Sequence, residues 1–491
     1  MDRLIISVIT LGVYIGIGTL IAIISRRAGI KSGKDYFVAG YRLSGVLAAM
    51  TYAATTYSAF MMVGLVGLTY MTGVGAFGFE ITYLIATIFL LTTVTGRVWK
   101  LARQRGWISP AEMIADLYGL RILAIVVAVI YLIALIPYAS AQLIGVGVTV
   151  EGMGGGHGLY VYGILLGVVV ALLWTAIAGI WSVASTDAFQ GVWMMSAALG
   201  LVVWLYAWGF GSPEKLAEGF AVIGDKGYLG LTPAWSLPVY ISFTVPWIFF
   251  AVTNPQVVQK IYMPRDKSAL QRMVTLFTIF GLSYTLIVTL IGLMGRALTE
   301  LGTLPEITYR DAVTPTILSY APLPLAALVF ASIVAAAMST MDAIVLTLSS
   351  TASRDLYVNA LKGREERMIW VGRASIVIIL AVLASVAYLR PGFIVDLSVL
   401  TSALLLPLAP VTLVGWLFKE KLKSGSGYAA LASLLTGFAI GISWALVNGA
   451  RKALLTPILG IPSSAFILIV SSAVLGAGLI AQHIITSSRR R

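Results

Sequence analysis

The chain has 491 residues, 59% of them apolar and 11% charged, with a mean hydropathy of +0.95; such a composition cannot cover a water-soluble surface, so most side chains must face lipid. The formal net charge of +13 is divided into short clusters flanking apolar runs, with no basic stripe on a soluble fold, which argues against nucleic acid as a partner. The absence of cysteine and the presence of only two histidines, His157 and His483, argue against disulfide scaffolds, thiolate chemistry, ordinary zinc sites and a membrane-embedded enzyme.

Read in chain order with a window of about 19 residues, the sequence predicts an all-α polytopic membrane protein. Its spans lie near 4–25, 43–71, 74–104, 119–150, 156–179, 180–210, 238–262, 268–298, 323–354, 367–389, 392–418, 427–448 and 460–485. That is about 13 transmembrane helices. The first runs straight into Arg26 and Arg27 without a small-residue cleavage site and reads as a retained helix. With the N-terminus outside, the cytoplasmic segments hold 25 of the 33 basic residues, Lys260 and the Arg489–Arg491 stop included. The positive-inside rule therefore predicts a C-terminus in the cytoplasm and a multi-pass protein of the plasma membrane. The outer segments 211–237 and 299–322 carry Gly, Pro, acidic residues and a short amphipathic piece, Asp311 to Tyr320, which suggests lids over a vestibule. On the inner side, Ser109-Pro110-Ala111-Glu112 has the capping chemistry of a short surface helix.

Polar residues inside spans are costly and need a partner or a task. The second span carries Thr51, Thr55, Thr56, Tyr57 and Ser58, then Gly64, Gly67 and Gly73. Such a run is either hydroxyls bonded back to their own helix with glycines for close packing, or an unwound helix whose carbonyls and hydroxyls hold a cation and a solute. The seventh span is interrupted at Pro246-Trp247 and at Thr253-Asn254-Pro255-Gln256, where a missing amide donor frees carbonyls. Two broken helices five spans apart point to an inverted repeat of five plus five helices with a site at the repeat interface, the alternative being two ordinary proline kinks. In the ninth span, Ala336, Ser339, Thr340 and Asp342 share a face. Hydroxyls plus break carbonyls supply the roughly five or six oxygens a hard monovalent cation takes, and sodium is the natural candidate. Asp187 stands near the start of the sixth span and Glu80 early in the third; a helix-terminal carboxylate and a snorkelling acid are the bland readings.

Several ordered motifs then resemble the sodium:solute symporter family, which includes sodium/proline, sodium/glucose, sodium/pantothenate and sodium/sialic-acid symporters. They are Asp35-Tyr36-Phe37-Val38-Ala39-Gly40-Tyr41-Arg42, Ala141-Gln142-Leu143, Ser185-Thr186-Asp187-Ala188-Phe189-Gln190, and Ala337-Met338-Ser339-Thr340 with Ser349-Ser350. The resemblance covers about residues 30 to 425 and implies a leucine-transporter-like core of five plus five helices. It implies one transporter domain over 1–491: a peripheral first helix and loop (1–42), the repeat core (43–418) and two peripheral C-terminal helices (419–491). It also implies a sodium site from the carbonyls of Ala54, Tyr57 and Ala336 and the hydroxyls of Ser339 and Thr340. A second cation or proton site would use Asp187 and Ser339, with Asp342 standing where some members have serine. Thr56 replaces an aspartate, and Ala251 an aromatic, of the proline-type pattern.

The expected activity is sodium-coupled import of a small organic solute, a carboxylate or amino acid, by alternating access, with Na+, the solute and the lipid bilayer as partners and a monomeric assembly. Thr55, Thr56, Ser58, Glu80, Gln142, Trp247 and Asn254 line the two breaks and their facing helices and are the expected solute contacts. The alternative is proton coupling through Glu80, Asp187 or Asp342.

Overall fold

The computed structural model describes residues 2–154, 158–423 and 425–488; His157 and Arg489–Arg491 lie outside them. Helices dominate, and among the described residues the only bridges of β type are isolated ones. Among the described residues, ten helices are long and apolar enough to cross a membrane, or up to 12 when two bent pairs are each taken as one span. The bent pairs are Gly45–Thr56 with Phe60–Thr72, at 45°, and Ile394–Leu405 with Leu408–Lys421, at 52°. The sequence count of 13 is therefore not met by length. Segment 238–262 accounts for the difference, because it is broken into short pieces of which Leu237–Ile248 is the longest.

Capping side chains fix where several helices begin. The Ser44 hydroxyl accepts the Leu47 amide, Asp266 accepts the Ala269 amide at 2.7 Å, and Ser109 accepts the Glu112 amide at 2.9 Å, which starts the helix Pro110–Tyr118. Burial then separates centre from rim. Leu323–Ala360 is 78% buried through its most apolar stretch, against 22% for Val8–Ala28, Glu365–Tyr388 and Ser463–Ile485, so it is the central mast and those three face lipid. Around the mast stand Gly45–Thr56 and Ile180–Leu205, and Lys267–Glu300 packs on both of these. The last two helices, Ser426–Asn448 and Ser463–Ser488, pack chiefly on each other.

The ends of the two principal broken spans are joined through main chain. The Leu43 amide donates to Met263 O at 3.0 Å, and the Arg265 amide donates to Leu43 O at 2.8 Å.

At the opposite ends, segment 299–322 folds inward. Val313–Tyr320 packs on Ile136–Gly154 and Val66–Thr72, and the Thr314 hydroxyl donates to Met62 O. Arg310 is buried, donating to Asp396 Oδ1 at 3.1 Å and stacking over the Phe393 ring at 4.4 Å. Gly67 is needed there, since a Cβ at 67 would come within 2.0 Å of Arg310 O. Asp311 accepts the Ile394 amide at 3.1 Å, and burial lifts its carboxyl to about 6 although Arg310 lowers it in part. A carboxyl that titrates higher in the folded than in the unfolded chain adds stability below about pH 4 and loses it as pH rises through about 6. Asp311→Asn keeps the acceptor, so it should flatten the pH dependence of the melting temperature between about pH 4 and 6. A slope equal to the wild type's would assign that dependence elsewhere.

Candidate functional site

The first break is built from a short extended step. Helix Gly45–Thr56 stops because Tyr57 takes φ −95°, ψ 95°, and a helical path resumes at Phe60. The amides exposed at the new N-terminus find partners: Ser58 Oγ accepts Phe60 N at 3.1 Å, and Gln142 Oε1 accepts Ala59 N at 3.2 Å. Gln142 Nε2 donates to Tyr138 O at 2.9 Å, so this side chain clamps the break to the helix Ile136–Gly154. Gln142 thus serves the protein's own backbone at the break.

Opposite the break, the mast supplies hydroxyls. Ser339 Oγ donates to Ala54 O at 2.7 Å and to Ala336 O at 3.1 Å, while Thr340 Oγ1 lies 2.9 Å from Thr55 O and 3.4 Å from Ala54 O. All of these residues are buried. Four of the five expected sodium ligands, Ala54, Ala336, Ser339 and Thr340, are therefore joined in one set of oxygens, and Tyr57 forms the break beside them. Two hydroxyls and several carbonyls in a dry place, with no carboxylate among them, suit a weakly held monovalent cation.

A second cluster lies one helical turn away. Asp187 Oδ2 accepts the Thr51 hydroxyl and the Lys260 ammonium, the latter at 3.2 Å, and the same ammonium reaches Thr51 O at 2.8 Å and the hydroxyls of Thr51 and Thr55. The hydroxyl of Thr55, an expected solute contact, is engaged by Lys260. Lys260 is not a loop cation, since it is 2% exposed inside the seventh span. Of the expected trio, Ser339 reaches the break carbonyls, Asp187 holds Lys260, and Asp342, within electrostatic reach of both Asp187 and Lys260, has both oxygens buried without a hydrogen-bond partner.

Two of the remaining expected solute residues, Trp247 and Asn254, belong to the seventh span. Phe249 and Asn254 leave helical geometry, at ψ 5° and ψ 112°, so Phe250–Thr253 is a single isolated turn. Trp247 sits among Phe60 at 5.0 Å, Tyr83 at 5.0 Å, Phe79 at 5.9 Å and a parallel Phe250 at 5.0 Å between ring centres. Its indole NH has no partner, nor do the hydroxyls of Tyr52, Tyr57 and Tyr83, nor Glu80 Oε2. Buried polar atoms are normally paired, so these unpaired ones are the candidates to meet a polar guest. Thr56 and Asn254 are less free: Thr56 Oγ1 donates to Tyr52 O at 2.8 Å, and Asn254 Nδ2 donates to Thr253 Oγ1 at 3.2 Å. Ser58 Oγ is shared between Phe60 N and, at 3.5 Å, the Tyr138 hydroxyl.

Sequence reasoning missed Lys260, the tyrosine hydroxyls and the bend between Leu405 and Leu408. Each had a signal: a lysine inside a predicted span, tyrosines at 52, 57 and 83 on adjoining spans, and Pro407 within an apolar run.

Comparison with known proteins agrees with this geometry. The model of the sodium:solute symporter family matches residues 36–437. Similar relatives include the sodium/pantothenate symporter of Haemophilus influenzae, 26% identical over 73% of each chain. The high-affinity proline transporter PutP of Bacillus subtilis is 23% identical over 84% of this chain and 86% of that one. The symporter YidK of Escherichia coli is 24% identical over 82% and 74%. In structure, the chain resembles a Na+-coupled sialic acid symporter in a substrate-bound outward-open state. That match has a TM-score of 0.79 at 17% identity and covers 98% of this chain and 97% of that one, which establishes the shared fold. These relatives are transporters and not enzymes. From the family match along most of its length, the chain belongs to the sodium:solute symporter family.

Proposed function

We propose that this protein imports a small carboxylate or amino acid together with sodium, the ion binding between Ala54, Tyr57, Ala336, Ser339 and Thr340. The observation that carries the proposal is the set of Ser339 and Thr340 hydroxyls directed at the carbonyls of the broken second span. In this reading the ion replaces the hydroxyl protons as the partner of those carbonyls and stiffens the break, and the solute then finds an ordered site. Ion and solute therefore bind cooperatively and reciprocally. A sodium ion crossing 100 mV releases about 2.3 kcal/mol, and a tenfold gradient about 1.4 kcal/mol more, enough for roughly a 500-fold accumulation of a neutral solute.

Glu80, Trp247 and the facing tyrosines would hold the solute. Proline and pantothenate, named for two relatives, and sialic acid, named for the structural neighbour, all carry a carboxylate, which supports that substrate class. The peripheral-core-peripheral division at 42/43 and 418/419, an outside N-terminus and a plasma-membrane location belong to the same proposal.

Uptake into proteoliposomes under a sodium gradient or a proton gradient tests the coupling ion. Accumulation driven only by sodium is expected, and accumulation driven by protons alone would move the assignment to Glu80, Asp187 or Asp342. Glu80→Gln should raise the solute KM about 10- to 100-fold, the loss of one hydrogen bond to a charged group, with sodium dependence retained. An unchanged KM would remove Glu80 from the solute site.

A further inference from the structure

The Lys260 ammonium is surrounded like an ion. It meets Thr51 O at 2.8 Å, Asp187 Oδ2 at 3.2 Å and the hydroxyl oxygens of Thr51 and Thr55, and it is 2% exposed. Carbonyl, hydroxyl and carboxylate oxygens in one shell are the donors a hard monovalent cation takes. Thr51 and Thr55 are one turn apart on the last turns before the break, and Thr55 O also accepts the Thr340 hydroxyl. This shell and the proposed sodium set therefore share a stretch of backbone.

We infer that Lys260 is a tethered cation filling a second cation position, so that each solute is accompanied by one sodium ion and not two. The inference rests on the sodium-symport reading above. Asp187 on Ile180–Leu205 and Asp342 on Leu323–Ser350 are the carboxylates within electrostatic reach of Lys260, with the Tyr14 hydroxyl and Gln190 beside them. A sodium ion cannot enter the Thr51–Thr55–Asp187 shell while the ammonium occupies it, because the oxygens are already engaged and the two charges repel at short range. The arrangement has a functional consequence: the tether cannot be released on the far side, so it adds an anchoring charge to the site without adding to the driving force.

The ratio of sodium to solute taken up, counted with both species labelled in the same proteoliposomes, gives the ion count for the unaltered protein whatever the charge of the solute. One sodium per solute is expected, and two would overturn the inference while leaving sodium symport intact. Lys260→Gln vacates the shell, and sodium activation of uptake should change from a Hill slope of about 1 to about 2. Adding Asp187→Asn to that variant should return the slope to about 1. A Lys260→Gln protein that is monodisperse in detergent, transports and keeps a single-ion slope would refute it. Uptake by the unaltered protein that ignores sodium altogether would instead sink the symport reading on which the inference stands.

Discussion

Replacing Ser339 and Thr340 together by alanine should raise the sodium concentration for half-maximal uptake by about 100-fold or more. Each hydroxyl offers the ion an oxygen that an alanine methyl cannot replace, and interactions with a charged group in a dry site are worth about 1.5 to 3 kcal/mol apiece. Two such losses correspond to at least about two decades in binding. Because both hydroxyls also reach the carbonyls of Ala54 and Thr55, the variant leaves the break less restrained, and solute affinity should fall with ion affinity. The measurement is sodium-dependent uptake with sodium varied at saturating solute. Sodium activation unaltered in the double variant would show that the ion binds elsewhere.

Arg310→Met should cost about 3 to 5 kcal/mol of stability, the usual penalty for removing one partner of a buried ion pair. The loss leaves Asp396, 1% exposed, facing only Arg451 at 4.0 Å, and leaves Asp311 without its nearest guanidinium at 3.8 Å. Methionine keeps much of the packing against Phe393, so the effect isolates charge from shape. A lower melting temperature in detergent is expected, and adding Asp396→Leu should recover part of it by removing the stranded carboxylate. A single variant as stable as the parent would show that this pair is solvated and unimportant.

Much of the architecture could be read from the chain before its coordinates. Hydropathy located the long spans because lipid imposes one polarity over about 20 residues. The breaks at Tyr57 and Asn254 were legible from a hydroxyl-rich run and from Pro255, which are local chemistry. What stayed hidden was pairing over distance. Arg310 reads as one more loop cation until the fold brings Asp396 to it, 86 positions away. Lys260 lies at the end of a predicted span, where a lysine ordinarily escapes to water. Only the return of Ile180–Leu205, with Asp187, to the side of Gly45–Thr56 makes it an interior charge. Likewise Thr55 and Thr56 are neighbours in sequence yet serve different partners, one the ammonium and one its own helix, because successive helical residues point about a quarter-turn apart.

The main-chain link between Leu43 and residues 263 and 265 bears on how such a molecule can move. Peptide groups make it, so ordinary side-chain variation at these positions leaves it in place, and it ties the start of the second span to the end of the seventh. The molecule is thus fastened by main chain at one end and by the Arg310–Asp396 side-chain pair at the other, so substitution can loosen the second fastening and not the first.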